Sequence, residues 1–353
     1  MLGSCCRAVF DSRVRVLIIG AGIAGTLLAR ELHRRGVAVV VADDSSVPSA
    51  SRAAAGLVNP ITGIRLTLVP GIENLMATAC GTFLELEKVL QRPVWHPLPV
   101  DRIFRNAEEG EYWNRRAVDP AYGPWSLPLP LGSCPAPLGG IRITGGGWFD
   151  YRCLPEVLGK AGIPRIDGGV DTASIGARDD GVSWQGERFD AAVFCQGYAA
   201  DDPWFTGLPW KSALGEILTV RSEAGPVDSI WMRGIFIVPL GEGLFRTGST
   251  YRWTGFDRGT TPQARQDILE GWRALGLPEP VVVDQKAGVR PVLQDRLPVL
   301  GRHPHRQAFW ICNGLGSRGA MFAPTAAVQL ADALVKGAPV RPEWDAARFF
   351  RRA

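Results

Sequence analysis

Histidine is scarce in this chain of 353 residues: there are four, His33, His96, His303 and His305. The two long intervals between them form no metal set, and the close pair His303 and His305, which could chelate in principle, falls after Gly301 in a stretch that reads as a solvated loop, so no metal is expected. The seven cysteines (Cys5, Cys6, Cys80, Cys134, Cys153, Cys195 and Cys312) are odd in number and contain no Cys-x-x-Cys pair. That spacing offers no disulfide framework and suits a reducing compartment, so a cytoplasmic location is expected. No run approaches the roughly 18 apolar residues of a membrane helix. Basic residues are scattered and the net charge is only +4, which gives no reason by itself to expect nucleic acid or an anionic membrane. Residues 1–13 lack the apolar segment of a signal peptide and are expected to be a disordered extension.

What the chain does have is concentrated in residues 14–44. Val14 and the run Val16, Leu17, Ile18, Ile19 are apolar almost without interruption, the pattern of a parallel strand covered on both faces. Gly20, Gly22 and Gly25 follow in the spacing G-x-G-x-x-G, and Ala24, Leu27, Leu28 and Leu32 then recur at helical intervals up to Gly36. Val37 to Ala42 reads as a second buried strand, closed by Asp43. Each part has a task in holding a dinucleotide. Gly20 permits the turn, Gly22 admits a pyrophosphate to the backbone, and Gly25 lets the helix approach the strand. The helix start is an anion site, and an acid at the second strand end reaches ribose hydroxyls and argues against a 2′-phosphate.

Further along, residues 45–70 are rich in small side chains, with Ser51 to Gly56 able to bring backbone against a ligand. Residues 72–91 predict an amphipathic helix and 93–149 an inserted antiparallel region broken by proline and glycine. A helix is expected over 151–161, strands near 163–166, 170–175 and 191–195, and a turn at Asp179-Asp180-Gly181. Apolar runs at 217–220, 235–240 and 244–247 predict a second antiparallel stretch with a hairpin at Gly241-Glu242-Gly243. Thr260-Thr261-Pro262 starts a helix to 275, 281–283 is strand-like, and 287–301 reads as irregular. A strand over 308–312, the loop NGLGSRG and a helix over 320–335 close the pattern. The alternation implies an α/β fold: a Rossmann-type nucleotide domain assembled from 14–92, 151–211 and 284–353, and an α+β substrate domain from 93–150 and 212–283 with a mostly antiparallel sheet.

Several separated segments resemble one family. AAAGL at 53–57, GGGWFD at 145–150, VFCQG at 193–197, IVPL and GST at 237–250, AGVRP at 287–291 and GLGSRGAMFAP at 314–324 accompany the glycine turn in order. With them the chain resembles the FAD-dependent D-amino-acid oxidase (DAO) superfamily in its glycine oxidase and sarcosine oxidase branch. It is also similar to the FAD oxidase domain of the bacterial enzyme that modifies carboxymethylaminomethyl-uridine in tRNA. The resemblance implies FAD as cofactor, lying between the two domains. It places Gly20, Gly22, Ile23, Ala24 and Gly25 at the pyrophosphate and Asp43 and Asp44 at the adenosine. Ser51, Ala54, Ala55, Gly56 and Leu57 would line the flavin and Val170 the adenine, with Cys195 and Gly197 beside the pyrophosphate. Gly288 and Arg290 on one side, and the loop Gly314, Leu315, Gly316, Ser317, Arg318, Gly319 on the other, would face the flavin and ribityl chain. Sarcosine oxidases tether their flavin to a cysteine near AGVRP; no cysteine occurs here between 196 and 311, which implies non-covalent FAD.

Arg290 is the candidate grip for a substrate carboxylate, against the plainer reading of a salt bridge to Asp284 or Asp295. Arg318 matches the tRNA-modifying oxidase, while glycine oxidase carries its arginine one position earlier, at Ser317. Arg246 occupies the strand position where sarcosine oxidase has a lysine that aids the reaction with oxygen; an outward-facing arginine is the other reading. Tyr251 and Trp253 either cover the substrate or pack domains together. The implied reaction is oxidation of the C–N bond of a small amino acid or N-substituted glycine by hydride transfer to flavin, imine hydrolysis and reoxidation by O2 to H2O2. A glycine-like group on modified tRNA, and a flavin-binding module without turnover, are the alternatives. The segment NPITGIR at 59–65 departs from glycine oxidase.

Overall fold

The computed structural model describes residues 14–45, 49–168, 170–178, 180–198, 203–257 and 259–350. The extension expected at 1–13, and Asp179 of the expected turn, lie outside them.

The run of apolar residues that begins at Val16 becomes the strand Arg15–Ile19, in the middle of a six-stranded sheet. In spatial order the sheet is Arg165–Asp167, Ala38–Asp43, Arg15–Ile19, Ala191–Phe194, Arg306–Asn313 and Val299–His303. All neighbours are parallel except the last pair, Val299–His303 with Arg306–Asn313. Both faces are covered, which is why the sequence does not alternate. Val16 and Ile18 point into a core shared with the helices Ile23–Arg34, Ile72–Leu90, Leu154–Lys160 and Gly319–Lys336. Leu17 and Ile19 point the other way, onto Val182, Trp184 and Phe189 of a small antiparallel sheet built from Gly176–Arg178, Gly181–Trp184 and Glu187–Phe189.

The second large sheet has eight strands in the order Val281–Arg290, Ala213–Arg221, Leu244–Gly248, Ile235–Gly241, Ile230–Arg233, Val100–Ile103, Gly140–Ile143 and Ser126–Pro128. It is antiparallel apart from the parallel join of Ile230–Arg233 to Val100–Ile103. Its hairpin turns through Glu242 (φ 52°) and Gly243 (φ 71°), the pair of positive φ angles that matches the twist of a two-residue hairpin. The helix Pro262–Arg273, begun by the side chain of Thr261, covers one face with Ile268, Leu269 and Trp272. The other face looks toward the first sheet.

Three expectations need correction. Residues 170–175 are not a strand: the Asp171 carboxylate accepts from the Ala173 N–H at 2.9 Å and winds Thr172–Ser174 into a 3-10 turn. Residues 287–301 are not wholly irregular, because the strand that begins at Val281 continues through Arg290, held by pairing of 284–290 with 213–219. Residues 284–290 therefore belong to the second sheet, while residues 299–301 enter the edge strand Val299–His303 of the first. Within 93–149 there is also a helix, Ala107–Ala117, capped by Asn106 through the Glu109 N–H at 3.0 Å. Among the described residues no helix is long and apolar enough to cross a membrane.

Candidate functional site

The glycine turn is held in place from three sides. Gly20 adopts φ +105°, and a Cβ there would come within 2.6 Å of the Cys195 carbonyl oxygen. At Gly25 a Cβ would collide with the Gly20 carbonyl oxygen, so the helix can lie this close only with glycine. Ser51 reaches across from a separate segment: its Oγ accepts from the Ile23 N–H at 3.1 Å. Asp43 accepts from the Ala21 N–H at 2.9 Å and from Arg165 at 3.0 Å, so its carboxylate braces the turn as well as ending the strand. The helix Ile23–Arg34 starts at Gly22 with no side-chain cap and no acid in its first turn, leaving the positive end of its dipole available to an anion. On the facing strand end the buried Oε1 of Gln196 has no hydrogen-bond partner. Glycines without room for a side chain, a helix start that carries no acid and only the neutral Ser51 hydroxyl, and an unpartnered buried acceptor fit a dinucleotide.

With the exception of Gly25, every cofactor candidate named from the sequence lines one cleft of about 2670 Å³ between the two large sheets. Gly25 lies behind it and acts through packing. The far wall is a single row of the eight-stranded sheet: Lys286, Ile217, Gly248, Phe236, Met232 and Arg102 are paired across six strands and all reach the cleft. At the usual strand spacing this row spans about 24 Å.

Arg290 stands at one end of that wall. Its Nη2 donates to Ser249 Oγ at 2.6 Å and its Nη1 to the Thr250 carbonyl at 3.3 Å, and its Cζ lies 4.3 Å from the centre of the Tyr251 ring. All three partners are neutral. The acids that the plainer reading required are engaged elsewhere, Asp284 with Lys286 at 3.6 Å and Asp295 with Arg348 at 2.9 Å. Burial holds the Arg290 guanidinium below its ordinary pKa, yet it stays charged. Room for it is made by Gly215 on the neighbouring strand, where a Cβ would overlap the guanidinium itself. A part-buried cation with no counter-ion among the described residues, facing a cleft, is a site for an anion.

Arg318 also lines the cleft, its Nη2 donating to the Arg296 carbonyl at 2.6 Å and its guanidinium stacked 4.6 Å from the centre of Phe322. Burial, then the charge of Arg296, lowers its pKa. Arg246 does not face outward: it is not itself among the residues that line the cleft, but its Nη1 donates at 3.3 Å to the carbonyl of Ala54, which does line it, and burial and the nearby Arg152 depress its pKa. Tyr251 and Trp253 are 54% and 67% exposed on the cleft, so they do not pack the domains together.

A family model describing DAO, FAD-dependent oxidoreductases, matches residues 15–333. The chain belongs to the DAO family. The family is FAD-dependent, and the cleft is the place where the residues present fit that cofactor. Among curated relatives, the tRNA 5-methylaminomethyl-2-thiouridine biosynthesis bifunctional protein MnmC of Marinobacter nauticus is 26% identical, over 90% of this chain and 55% of that protein. Glycine oxidase of Bacillus licheniformis is 24% identical over 61% of this chain and 56% of that protein. The chain thus spans about half the length of these relatives. Of solved structures, iminodiacetate oxidase from Chelativorans superposes with a TM-score of 0.78 at 24% identity, over 94% of this chain and 98% of that one. Glycine oxidase from Geobacillus kaustophilus gives 0.77 at 22%, over 95% and 98%. The DAO fold is therefore present along nearly the whole chain.

Several contributors to this DAO site carried no signal in the sequence. Gly215 and Ser249 act only because distant strands bring them to Arg290. Tyr151, buried on the cleft, has its hydroxyl 3.2 Å from where a Gly319 side chain would begin, and burial raises its pKa against the help of the Ala320 backbone. Asn313 ties two cofactor loops, donating to the Gly197 carbonyl at 2.8 Å and accepting from the Gly314 N–H at 2.8 Å; its place at the head of NGLGSRG was the available hint.

Proposed function

We propose that this chain oxidises the C–N bond of a small amino acid or N-substituted glycine, with non-covalent FAD in the cleft. The observation that carries the reading is Arg290: a buried guanidinium on the cleft wall, held by neutral partners and given room by Gly215. A forked cation in that setting binds a carboxylate through two parallel hydrogen bonds and so sets the orientation of the carbon next to it. Bound FAD supplies the two-electron acceptor for the hydride on that carbon, and oxygen reoxidises it with formation of hydrogen peroxide. The substrate becomes an imine, which water hydrolyses to a carbonyl compound and an amine. No histidine lines the cleft among the described residues, so the amine is best taken as entering neutral, with its lone pair assisting loss of hydride. The chain's part is then to orient the substrate, to keep the carboxylate fixed at Arg290, and to hold the N-terminus of Gly319–Lys336 and the loop before it against the cofactor.

The test is an anaerobic titration of the FAD-loaded protein with glycine, sarcosine and other N-substituted glycines, followed at the flavin absorbance. Bleaching that returns with air, with peroxide formed, is the expected result. Arg290→Ala should retain FAD and lose turnover by orders of magnitude, and Arg290→Lys should recover a fraction of it. A yellow protein that no glycine derivative bleaches would overturn the reading.

A second reading has its own support. Arg65, Arg102 and Arg105 at one end of the cleft, and Lys211, Arg296 and Arg318 at the other, outweigh its carboxylates Asp43, Asp44, Asp171 and Asp257. That excess favours an anionic partner, and MnmC relatives are described as acting in tRNA biosynthesis. Binding of tRNA that weakens steeply with salt, together with bleaching only by modified tRNA, would favour this reading over the first.

A further inference from the structure

Tyr151 follows directly on GGGWFD and opens the 3-10 turn Tyr151–Cys153. The turn is fixed by the residue before it. Asp150 donates its N–H to the Val94 carbonyl at 2.8 Å, and its carboxylate accepts from the Arg152 N–H at 3.1 Å and from the Arg152 guanidinium at 2.8 and 2.9 Å. The Tyr151 ring stands edge to face on Phe149 at 5.5 Å, and the residue is only 9% exposed although it lines the cleft. Its hydroxyl meets two helix starts at once. A side chain at Gly319, where the helix Gly319–Lys336 begins, would start 3.2 Å from that hydroxyl and 3.5 Å from Cγ2 of Ile23, the first residue of the helix Ile23–Arg34. The Ala320 N–H supports the phenol oxygen, and no acceptor for the O–H itself is found among the described residues. Neither helix has an acid in its first turn or a capping side chain bonded at its start. Two helix dipoles and one buried donor therefore converge on the same part of the cleft.

We infer that the pyrophosphate of FAD is held by both helix starts and not by the glycine turn alone, with the Tyr151 hydroxyl between them donating a hydrogen bond to a phosphate oxygen. A buried O–H without an acceptor is costly, and a charged oxygen is the acceptor that repays it best. The Ala320 N–H strengthens the hydroxyl as a donor, because an oxygen that accepts one hydrogen bond gives its own proton more readily to the next. Burial also raises the pKa of the phenol, so at neutral pH it keeps its proton beside a phosphate and remains a donor. Glycine at 319 leaves the hydroxyl its room. The inference rests on FAD as the cofactor and is independent of which amine the chain oxidises.

Binding of three probes tests this without turnover. Tyr151→Phe keeps the ring and its contact with Phe149 and removes the hydroxyl alone. The FAD-free full chain, parent and variant, is titrated with FAD, with ADP, which carries the two phosphates without the flavin, and with adenosine, which carries neither. The variant should bind FAD and ADP at least tenfold more weakly, the worth of one hydrogen bond to a charged group, and adenosine within about twofold of the parent. ADP bound as tightly as by the parent would overturn the phosphate contact, whatever happens to FAD. An equal loss for all three probes would make Tyr151 a packing residue and overturn the inference as well. Bleaching of the flavin by glycines is a separate readout, so failure of the oxidase chemistry would be recognised on its own.

Discussion

A methyl group at position 215 would occupy the space of the Arg290 guanidinium. Gly215→Ala is therefore expected to displace the grip without touching the substrate directly, raising KM and cutting kcat/KM by about 100-fold while FAD absorbance is retained; steady-state kinetics beside a flavin spectrum would show it. The opposite case is Arg246. Because its guanidinium supports the Ala54 carbonyl from outside the cleft, Arg246→Met should leave the rate of air reoxidation of the reduced protein within about twofold of the parent. The same variant should lose about 1 kcal/mol of stability, the net worth of one hydrogen bond to a part-buried carbonyl, measured by denaturant unfolding. A fall in reoxidation rate of tenfold or more would restore the role in the oxygen reaction first considered for this residue.

At the scale of elements, the strand, turn and helix of residues 15–34 act as one unit whose tolerance is set by backbone contacts. A side chain at Gly25 meets the Gly20 carbonyl oxygen inside the turn that should hold the pyrophosphate. Gly25→Val is expected to give a protein that is purified colourless and is not restored by added FAD. Ser51→Ala is milder: it removes the acceptor for the Ile23 N–H and nothing else at that turn. Loss of one such bond, worth about 1 kcal/mol net, should weaken FAD binding by roughly fivefold in an ultrafiltration or fluorescence titration. Between these two variants the glycine is the stricter requirement, since the hydroxyl can be replaced by water and the backbone cannot move.

Over the whole molecule, FAD would join two sheets that otherwise meet across a cleft. Because it binds the folded chain only, FAD at about 100 times its Kd should add about 2.7 kcal/mol of stability, seen as a rise in melting temperature on titration. Acid should act in the other direction. Burial lowers the pKa of His96, stacked on Trp148 at 3.9 Å, and of His303, from the ordinary value of 6.5. The unfolded chain then binds protons that the folded one refuses, so this stability is present above about pH 6.5 and is lost as pH falls toward the folded values. Melting temperatures between pH 7.5 and 5 should decline less steeply in His96→Phe than in the parent.

The glycine turn, its flanking strands and helix, the hairpin at 241–243 and the long helix from Ile72 could be read from residues alone, because each depends on local spacing: apolar period, backbone freedom, a cap. The family resemblance likewise rested on short runs whose residues act together within a few positions. What local spacing could not show was decided by pairing across the chain. Residues 284–290 look broken, with Gly288 inside them and Pro291 next, yet they form a strand because residues 213–219 supply the hydrogen bonds. Arg290 read as a carboxylate grip with a salt bridge as the plainer alternative, and the fold sent the two acids of that alternative elsewhere, Asp284 to Lys286 and Asp295 to Arg348. Arg246 suited an outward-facing place as well as a functional one by sequence, until the fold set its guanidinium against the Ala54 carbonyl. Sequence by itself determined which segments could bend, cap and bury, since those are properties of neighbours. Only the tertiary structure decided which charges were left without a partner, since that depends on what every other charged group in the molecule had already found.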